Sequence, residues 1–329
     1  MFDSVLFTGI VTIIVGVGGM FAYFWLSNMF LDKVLFPASG PNIGRNINRA
    51  TAIRPWLFLF PAIFALGLYL VVPVGYSAWL SVTSGVAEDG GWYRNYSEIF
   101  QNRTFRVALL NNLLWVLVVP AGATFFGLVA AQLTDQLSWG NIAKSLIFMP
   151  MAISFVGASL IWSFVYHPSI DIGVINAIRG LFGAEEGVTL IDGQIFDSFL
   201  LMVVLIWIQT GFAMVILSAA LRGVPEETVE AAIIDGANPF QIFFKIKVPQ
   251  IKGTIVVVWT TITILVLKVY DIVAAMGSQY RNLEILPTQM MQYFDSGNYG
   301  FATAISVVIM VLVLPVMVWN IRQARAEMR

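Results

Sequence analysis

Stretches of apolar residues without a single charge dominate this chain, and their lengths define its elements. Residues 4–31, 55–87, 107–134, 145–170, 198–221 and 296–321 form six such runs. Each exceeds the roughly 20 residues that cross a bilayer core. A seventh run begins near Gly253, stays charge-free to Leu267, is interrupted by Lys268 and Asp271, and continues to about Met276. The pattern predicts an all-α integral membrane protein of about seven transmembrane helices. Residues 1–31 hold the first of them. The start MFDSVLF lacks a basic segment, the apolar run is too long for a secretory signal, and Asp32 and Lys33 follow it without a small-residue cleavage site. Prolines 61, 73, 120, 150 and 315 fall in or near the runs and read as kinks, tolerable where neighbouring helices satisfy the freed carbonyls.

Composition agrees with that class. Apolar residues make up 58 % of the chain and charged residues 11 %, where a soluble domain carries about 25 % charge. Mean hydropathy is +0.82. The net charge of −1 says little, because the charges are sorted by side. With the amino terminus outside, the cytoplasmic segments hold Lys33, Arg45, Arg49, Arg54, Lys144, Arg222, Lys245, Lys247, Lys252, Arg322, Arg325 and Arg329. The outer segments hold only Arg94, Arg103, Arg106, Arg179 and Arg281. The positive-inside rule therefore places the amino terminus outside and the carboxyl terminus in the cytoplasm. Residues 32–54 form a basic linker rich in Pro, Gly and Asn, and residues 55–329 form the main transmembrane domain.

One polar-edged segment stands between two long runs, within a cytoplasmic loop at residues 222–252. It reads EAAIIDGANPFQIFFKIKVP from Glu230 to Pro249. Ala231 and Ala232 are small and helix-favouring, so another surface can approach the backbone there. Gly236, after Asp235, permits a turn that divides the segment into two short helices. Phe240, Phe243 and Phe244 recur at helical spacing and give an apolar face unsuited to water. That arrangement fits docking into a groove of a partner, or an amphipathic helix lying on the membrane surface.

The spacing Glu230-Ala231-Ala232, Gly236, Ile246 and Pro249 resembles the EAA loop of ABC importer permeases, with Val248 where leucine is usual. VPEETVEAAIIDGANPFQ is similar to the sugar-uptake branch, of maltose and α-glucoside type. LKVYDIV resembles the family's Lys-Val-Phe-Asp element, with Tyr270 in place of phenylalanine. The likeness runs from about Arg54 to the end. The first helix and its linker resemble the extended amino-terminal region of α-glucoside permeases, whereas the large outer domain of the enterobacterial maltose permease is absent.

The resemblance implies a type I ABC importer permease fold in the bacterial inner membrane, transporting a sugar delivered by an extracytoplasmic binding protein. It also implies a second, different permease and two ATPase subunits that dock on Glu230, Ala231, Ala232, Asp235, Gly236, Phe240, Phe243, Ile246 and Pro249. It places a sugar site near mid-membrane, lined by the helices before and after the loop. Residue types suited to sugar are Trp207, Gln209, Thr210 and Phe212 on the first and Thr261, Lys268, Tyr270 and Asp271 on the second. Packing aromatics and threonines bonded to their own backbone are the bland alternative. Lys268 and Asp271, at i and i+3, could pair on one helix face, form a structural ion pair or snorkel. Asn111 and Asn112 read as glue between helices.

No GxxxxGK[ST] loop is present, so ATP and magnesium belong to partner subunits and the chain itself binds no cofactor. No HExxH or GxSxG element suggests catalysis, and the chain is not read as an enzyme. There is no cysteine, and His167 stands alone, so no metal site is expected. Other readings are a self-sufficient secondary transporter with Lys268 and Asp271 as an ion relay, an intramembrane enzyme, or a permease for glycerol phosphate or a glucosylated osmolyte.

Overall fold

The computed structural model describes residues 2–37, 43–85, 93–194, 196–277 and 280–327; of residues 2–5, 320 and 323–327 it describes the backbone. Residues 38–42 of the basic linker, residues 86–92, Ile195 and Arg329 lie outside the described residues. The chain divides into two compact units, Met1–Tyr76 and Ser77–Arg329.

In the first unit, α1 (Phe2–Phe30) runs into a π-turn at Leu31–Leu35. Helix α2 (Ile43–Leu66) then leads through a second π-turn, Gly67–Val71, into α3 (Val72–Thr83). Residues 43–54, read above as linker, are thus the first turns of α2. Pro55 and Pro61 lie inside that helix. The two helices touch through few groups: Arg54 Nη2 bonds Asp32 Oδ1 at 2.7 Å, Tyr23 Oη donates to Leu57 O at 2.8 Å, and Phe24 packs on Phe58. Other side chains of α1, such as Phe7, Ile13, Phe21 and Trp25, are exposed, as befits a helix solvated by lipid.

The second unit begins within α3, at Ser77, and continues with α4 (Arg94–Gln101), separated by the N-cap Asn102 from α5 (Arg103–Asp135). After α6 (Gly140–Phe148), a 3₁₀ turn at Met149–Ala152 leads to α7 (Phe155–Val165) and α8 (Val174–Leu181). Helix α9 (Asp197–Arg222) is followed by α10 (Glu226–Ile234), the short α11 (Pro239–Gln241), a π-turn at Ile242–Lys247 and α12 (Val248–Gln250). The chain ends through α13 (Lys252–Val266), α14 (Asp271–Met276), α15 (Leu286–Asp295) and α16 (Tyr299–Glu327).

The core forms where α5, α9 and α13 meet, around Trp115, Met202, Leu205, Ile208, Met214 and Ile262. Helices α5 and α9 pack closely along their length. Ala123, Gly127 and Ala131 form a small-residue stripe on α5, and a Cβ added at Gly127 would lie 2.5 Å from Ala213 Cβ and 2.9 Å from Met214 N. Small residues let backbones approach in this way, so dispersion contacts replace the hydrophobic drive that lipid removes.

Among the described residues five helices are individually long and apolar enough to cross a membrane, and two bent pairs bring the number to seven if each is one span. Two departures from the expected pattern follow. The run 145–170 is not one helix but α6 and α7, bent by 105°, where Pro150 and the N-cap Ser154 end one helix and start the next. The seventh run does not continue as helix to Met276. Helix α13 stops at Val266, and Lys268, Val269 and Tyr270 lie in a link before α14. Lys268 and Asp271 therefore do not share a helix face, and among the described residues no ion pair joins them.

Candidate transport and docking sites

The segment 222–252 is built by successive local stop signals. Gly223 caps α9, Pro225 sets the entry to α10, and the α10 C-cap Asp235 precedes Gly236 at φ 81°. That backbone region suits glycine, since it carries no Cβ. Asn238 and Gln241 then close a reciprocal capping box, with Gln241 N donating to Asn238 Oδ1 at 2.9 Å and Asn238 N to Gln241 Oε1 at 3.0 Å. The turn is thus fixed from both sides. It presents Ile233 (58 % exposed), Ile234 (86 %), Phe240 (71 %) and Phe244 (45 %) as an apolar tip, with the Phe240 and Phe244 rings 4.5 Å apart. Glu230, Ala231, Asp235 and Pro249 are exposed and Ile246 is half-buried. Ala232 and Ile242 face inward, and half-buried Phe243 packs on the main core. Phe243 therefore contributes to packing rather than to the tip.

The candidate sugar residues do not form one cluster. Trp207 and Thr210 line an apolar cavity of about 600 Å³ with Phe126, Ile147, Pro150 and Trp162. There the Trp207 ring meets Trp162 edge-on at 5.8 Å, and the Thr210 hydroxyl is spent on Ile206 O at 2.7 Å. Gln209 is buried in the bundle and Phe212 packs against its core. Thr261 is exposed, yet its hydroxyl donates to Val257 O at 2.8 Å. Lys268 and Tyr270 line a separate cavity of about 430 Å³ with Pro287, Met290, Met291 and Ser306. Asp271, half-buried, begins α14.

Electrostatics distinguishes the two cavities. Helix α13 spans about 22 Å at 1.5 Å per residue, so Lys268 sits beyond its end but within the depth of a bilayer core about 30 Å thick. An exposed ammonium is costly in a lipid core, which favours water, a partner or, by snorkelling, the headgroup region as its surroundings. The Trp207 cavity carries no such demand.

A polar network that the residue pattern did not reveal lies at the start of α5, one helix length from the 222–252 segment. Asn111 Nδ2 donates to Asn282 O at 2.8 Å and Glu284 O at 2.9 Å, and Leu286 N donates to Asn112 Oδ1 at 2.7 Å. Asn111 thus holds a loop backbone, whereas Asn112 joins α5 to the first residue of α15, as glue between helices. Beside them, buried Glu284 accepts from Gln292 Nε2 at 3.2 Å, while its Oε2 and the Oε1 of Gln289 have no partner. Burial pushes the Glu284 carboxyl above the ordinary carboxylate range, opposed by the Gln292 bond and the charge of Arg281. A carboxyl whose pKa is raised by folding favours the protonated form. Its contribution to stability is therefore present below the unfolded pKa of 4.5 and is lost as pH rises through the folded value. Glu284→Gln should accordingly raise the melting temperature at pH 8, by an amount corresponding to about 1 kcal/mol. The gain should shrink towards pH 5, and a pH-independent difference in thermal melts would contradict this.

Comparison with known proteins fits the architecture. Residues 123–325 match the family described as binding-protein-dependent transport system inner membrane component. The alpha-glucoside transport system permease protein AglF of Rhizobium meliloti (strain 1021) is 54 % identical, the match covering 98 % of each chain. The osmoprotective compounds uptake permease protein GgtC of Synechocystis is 42 % identical over 82 % of this chain and 99 % of its own. Among solved structures, a chain of a bacterial alginate ABC transporter, crystallised with its alginate pentasaccharide-bound periplasmic protein, superposes with a TM-score of 0.71 at 20 % identity. That match covers 87 % of this chain and 98 % of that one. The chain belongs to the binding-protein-dependent transport system inner membrane component family, and is a multi-pass permease subunit of an ABC importer.

Proposed function

We propose that this chain is one of two unlike permeases in an ATP-driven importer of a neutral α-glucoside, supplied by a binding protein outside the membrane. The carrying observation is the apolar tip at Ile233, Ile234, Phe240 and Phe244, held out by the Gly236 turn. Such a surface is stable only when a partner covers it. Separate ATPase subunits, which bind the ATP and magnesium, are that partner. Glu230, exposed on α10, pairs with a basic group of their cleft. On this reading α10 lies in the cytoplasm, with the amino terminus outside and the carboxyl terminus inside, which the Lys and Arg distribution supports. The substrate class follows AglF, whose name carries it and whose sequence matches nearly end to end.

Within the membrane, the sugar passes the face bearing Thr261, Lys268, Tyr270 and Asp271. Tyr270 supplies an aromatic face for sugar C–H groups, and Lys268 and Asp271 bond hydroxyls. Trp207, Gln209, Thr210 and Phe212 act in packing, which supports that face from behind. ATP favours one of two bundle arrangements, and the sugar exchanges sides as the bundles rock about it.

Uptake by reconstituted importer tests the assignment. Tyr270→Ala and Lys268→Met should each lower uptake at least tenfold with the complex assembled to the wild-type level. Trp207→Ala should instead lower the yield of complex. A Trp207→Ala importer that assembles fully yet fails to transport would move the sugar to the other cavity.

A further inference from the structure

The ends of three helices converge beneath the docking segment on one carboxylate. Asp135, the last residue of α5, accepts from Arg222 Nε at 3.0 Å and Nη2 at 2.8 Å, both at Oδ1. Lys144 Nζ, from α6, donates to the same oxygen and also to Ser218 Oγ at 2.7 Å. Ser218, on α9, in turn donates to the carboxylate, its Oγ lying 3.0 Å from Oδ2 and 3.1 Å from Oδ1. The side chains of Lys144 and Asp135 are 14 % and 20 % exposed, that of Arg222 61 %. Exposed ion pairs add little to folding stability, so the arginine contact matters for where it holds α9. The lysine and serine contacts are better shielded, and charge-assisted bonds of that kind are short and directional.

Helix α10 begins four residues after Arg222. It meets the core through half-buried Val229, and beside that contact a cleft of about 470 Å³ opens, lined by Gln132, Asp135, Arg222, Glu226, Glu230 and Lys247 among others. It also packs against the π-turn Ile242–Lys247. A push on α10 reaches α9 through the link 223–225, and passes sideways into α5 and α6 at the carboxylate. Beside it only the Lys144–Ser218 bond joins α6 to α9 here, and among the described residues no other side-chain bond ties the end of α5 to either helix.

We infer that Asp135 is a positioning residue for coupling: by holding the end of α9 to α5 and α6, it makes displacement of the docking segment move the membrane helices together. The inference rests on the reading of residues 222–252 as the ATPase-docking segment. Without the carboxylate, the last turn of α9 yields and hydrolysis proceeds without transport.

The test uses the complete importer in proteoliposomes, measuring α-glucoside uptake and ATP hydrolysis on the same preparation. Asp135→Asn should keep hydrolysis within twofold of wild type and lower uptake at least tenfold, so that ATP spent per sugar rises at least fivefold. Asp135→Glu should restore the ratio to within threefold, and Ser218→Ala should raise it by a smaller factor. A merely structural role would lower yield, hydrolysis and uptake together and leave the ratio unchanged, which would overturn the inference. Should Asp135→Asn give no complex, Ser218→Ala decides, since it removes one bond and no charge; an unchanged ratio there overturns the inference equally. The chain has no cysteine, so Ile234→Cys offers a unique crosslinking site. No crosslink from it to the ATPase would overturn the docking reading and this inference with it. A crosslink accompanied by an unchanged ratio in Asp135→Asn overturns the role of Asp135 alone.

Discussion

Gly236→Asp should cut sugar uptake more than tenfold while leaving this chain folded and inserted. The two effects separate because of what surrounds the residue. A Cβ added at Gly236 meets nothing within 4 Å, so the chain itself offers no clash. The backbone there, at φ 81°, is left-handed, and a side chain costs about 1 kcal/mol, less for aspartate than for most residues. That is too little to unfold a domain of this size. The carboxylate, however, stands in the turn that links exposed Ile234 to exposed Phe240, and so on the surface a partner would cover. Burying it against an ATPase without a cation costs several kcal/mol. Gly236→Ala carries the same backbone strain without the charge and should lose no more than a few-fold. Equal losses in the two variants would assign the defect to the turn itself, and full uptake by Gly236→Asp would remove the tip from the interface.

Gly127→Leu should act oppositely, abolishing the folded chain before any partner is involved. The contacts a Cβ would make, 2.5 Å to Ala213 Cβ and 2.9 Å to Met214 N, involve an opposing helix backbone and the atom rooted on it. No rotamer change relieves them, and α5 must move away from α9. Overpacking usually costs about 1–3 kcal/mol where side chains adjust. Here separation would also loosen contacts along the Ala123, Gly127 and Ala131 stripe, so the loss should exceed that range. The expected readout is disappearance of the monodisperse peak in detergent chromatography. Gly122→Ala is the control: its Cβ would press only on the Ile206 side chain, which can rotate. A well-behaved Gly127→Leu protein would show that the two helices pack less tightly than these distances imply.

The helices were legible because a bilayer leaves few solutions for an uncharged chain of such length. Their breaks were not. A run of charge-free residues has the same composition whether straight or bent, and only Pro150 marked the corner between α6 and α7. Nothing before Lys268 announced that α13 would stop at Val266, since Leu265, Val266 and Leu267 would continue a helix equally well. Helix α15 also escaped notice, being a ten-residue element held by its buried Leu286, Pro287, Thr288 and Gln289 rather than by a long apolar run. The segment 222–252 could be delimited because its polar edges and Gly236 interrupt an apolar text. By contrast, the sugar candidates were chosen by residue type, and type cannot tell that Trp207 and Tyr270 line different cavities. Asp135 stood as a single charge ending a run, and its meaning depends on Lys144 and Arg222, brought near only by folding.

The tight crossing of α5 and α9 also has a kinematic consequence. Two rods touching backbone to backbone at Gly127 cannot twist or slide past one another there without collision, so their middle stretches travel as a single beam, while the last turn of α9 beyond it depends on Asp135. Whatever degrees of freedom the bundle has must then lie where the helices are interrupted: between Met149 and Ser154, at Ile251, and between Leu267 and Tyr270. Amide exchange should accordingly be fastest at those three corners and slowest along the beam, with Lys268 and Tyr270 carried on one of the corners rather than on the beam itself.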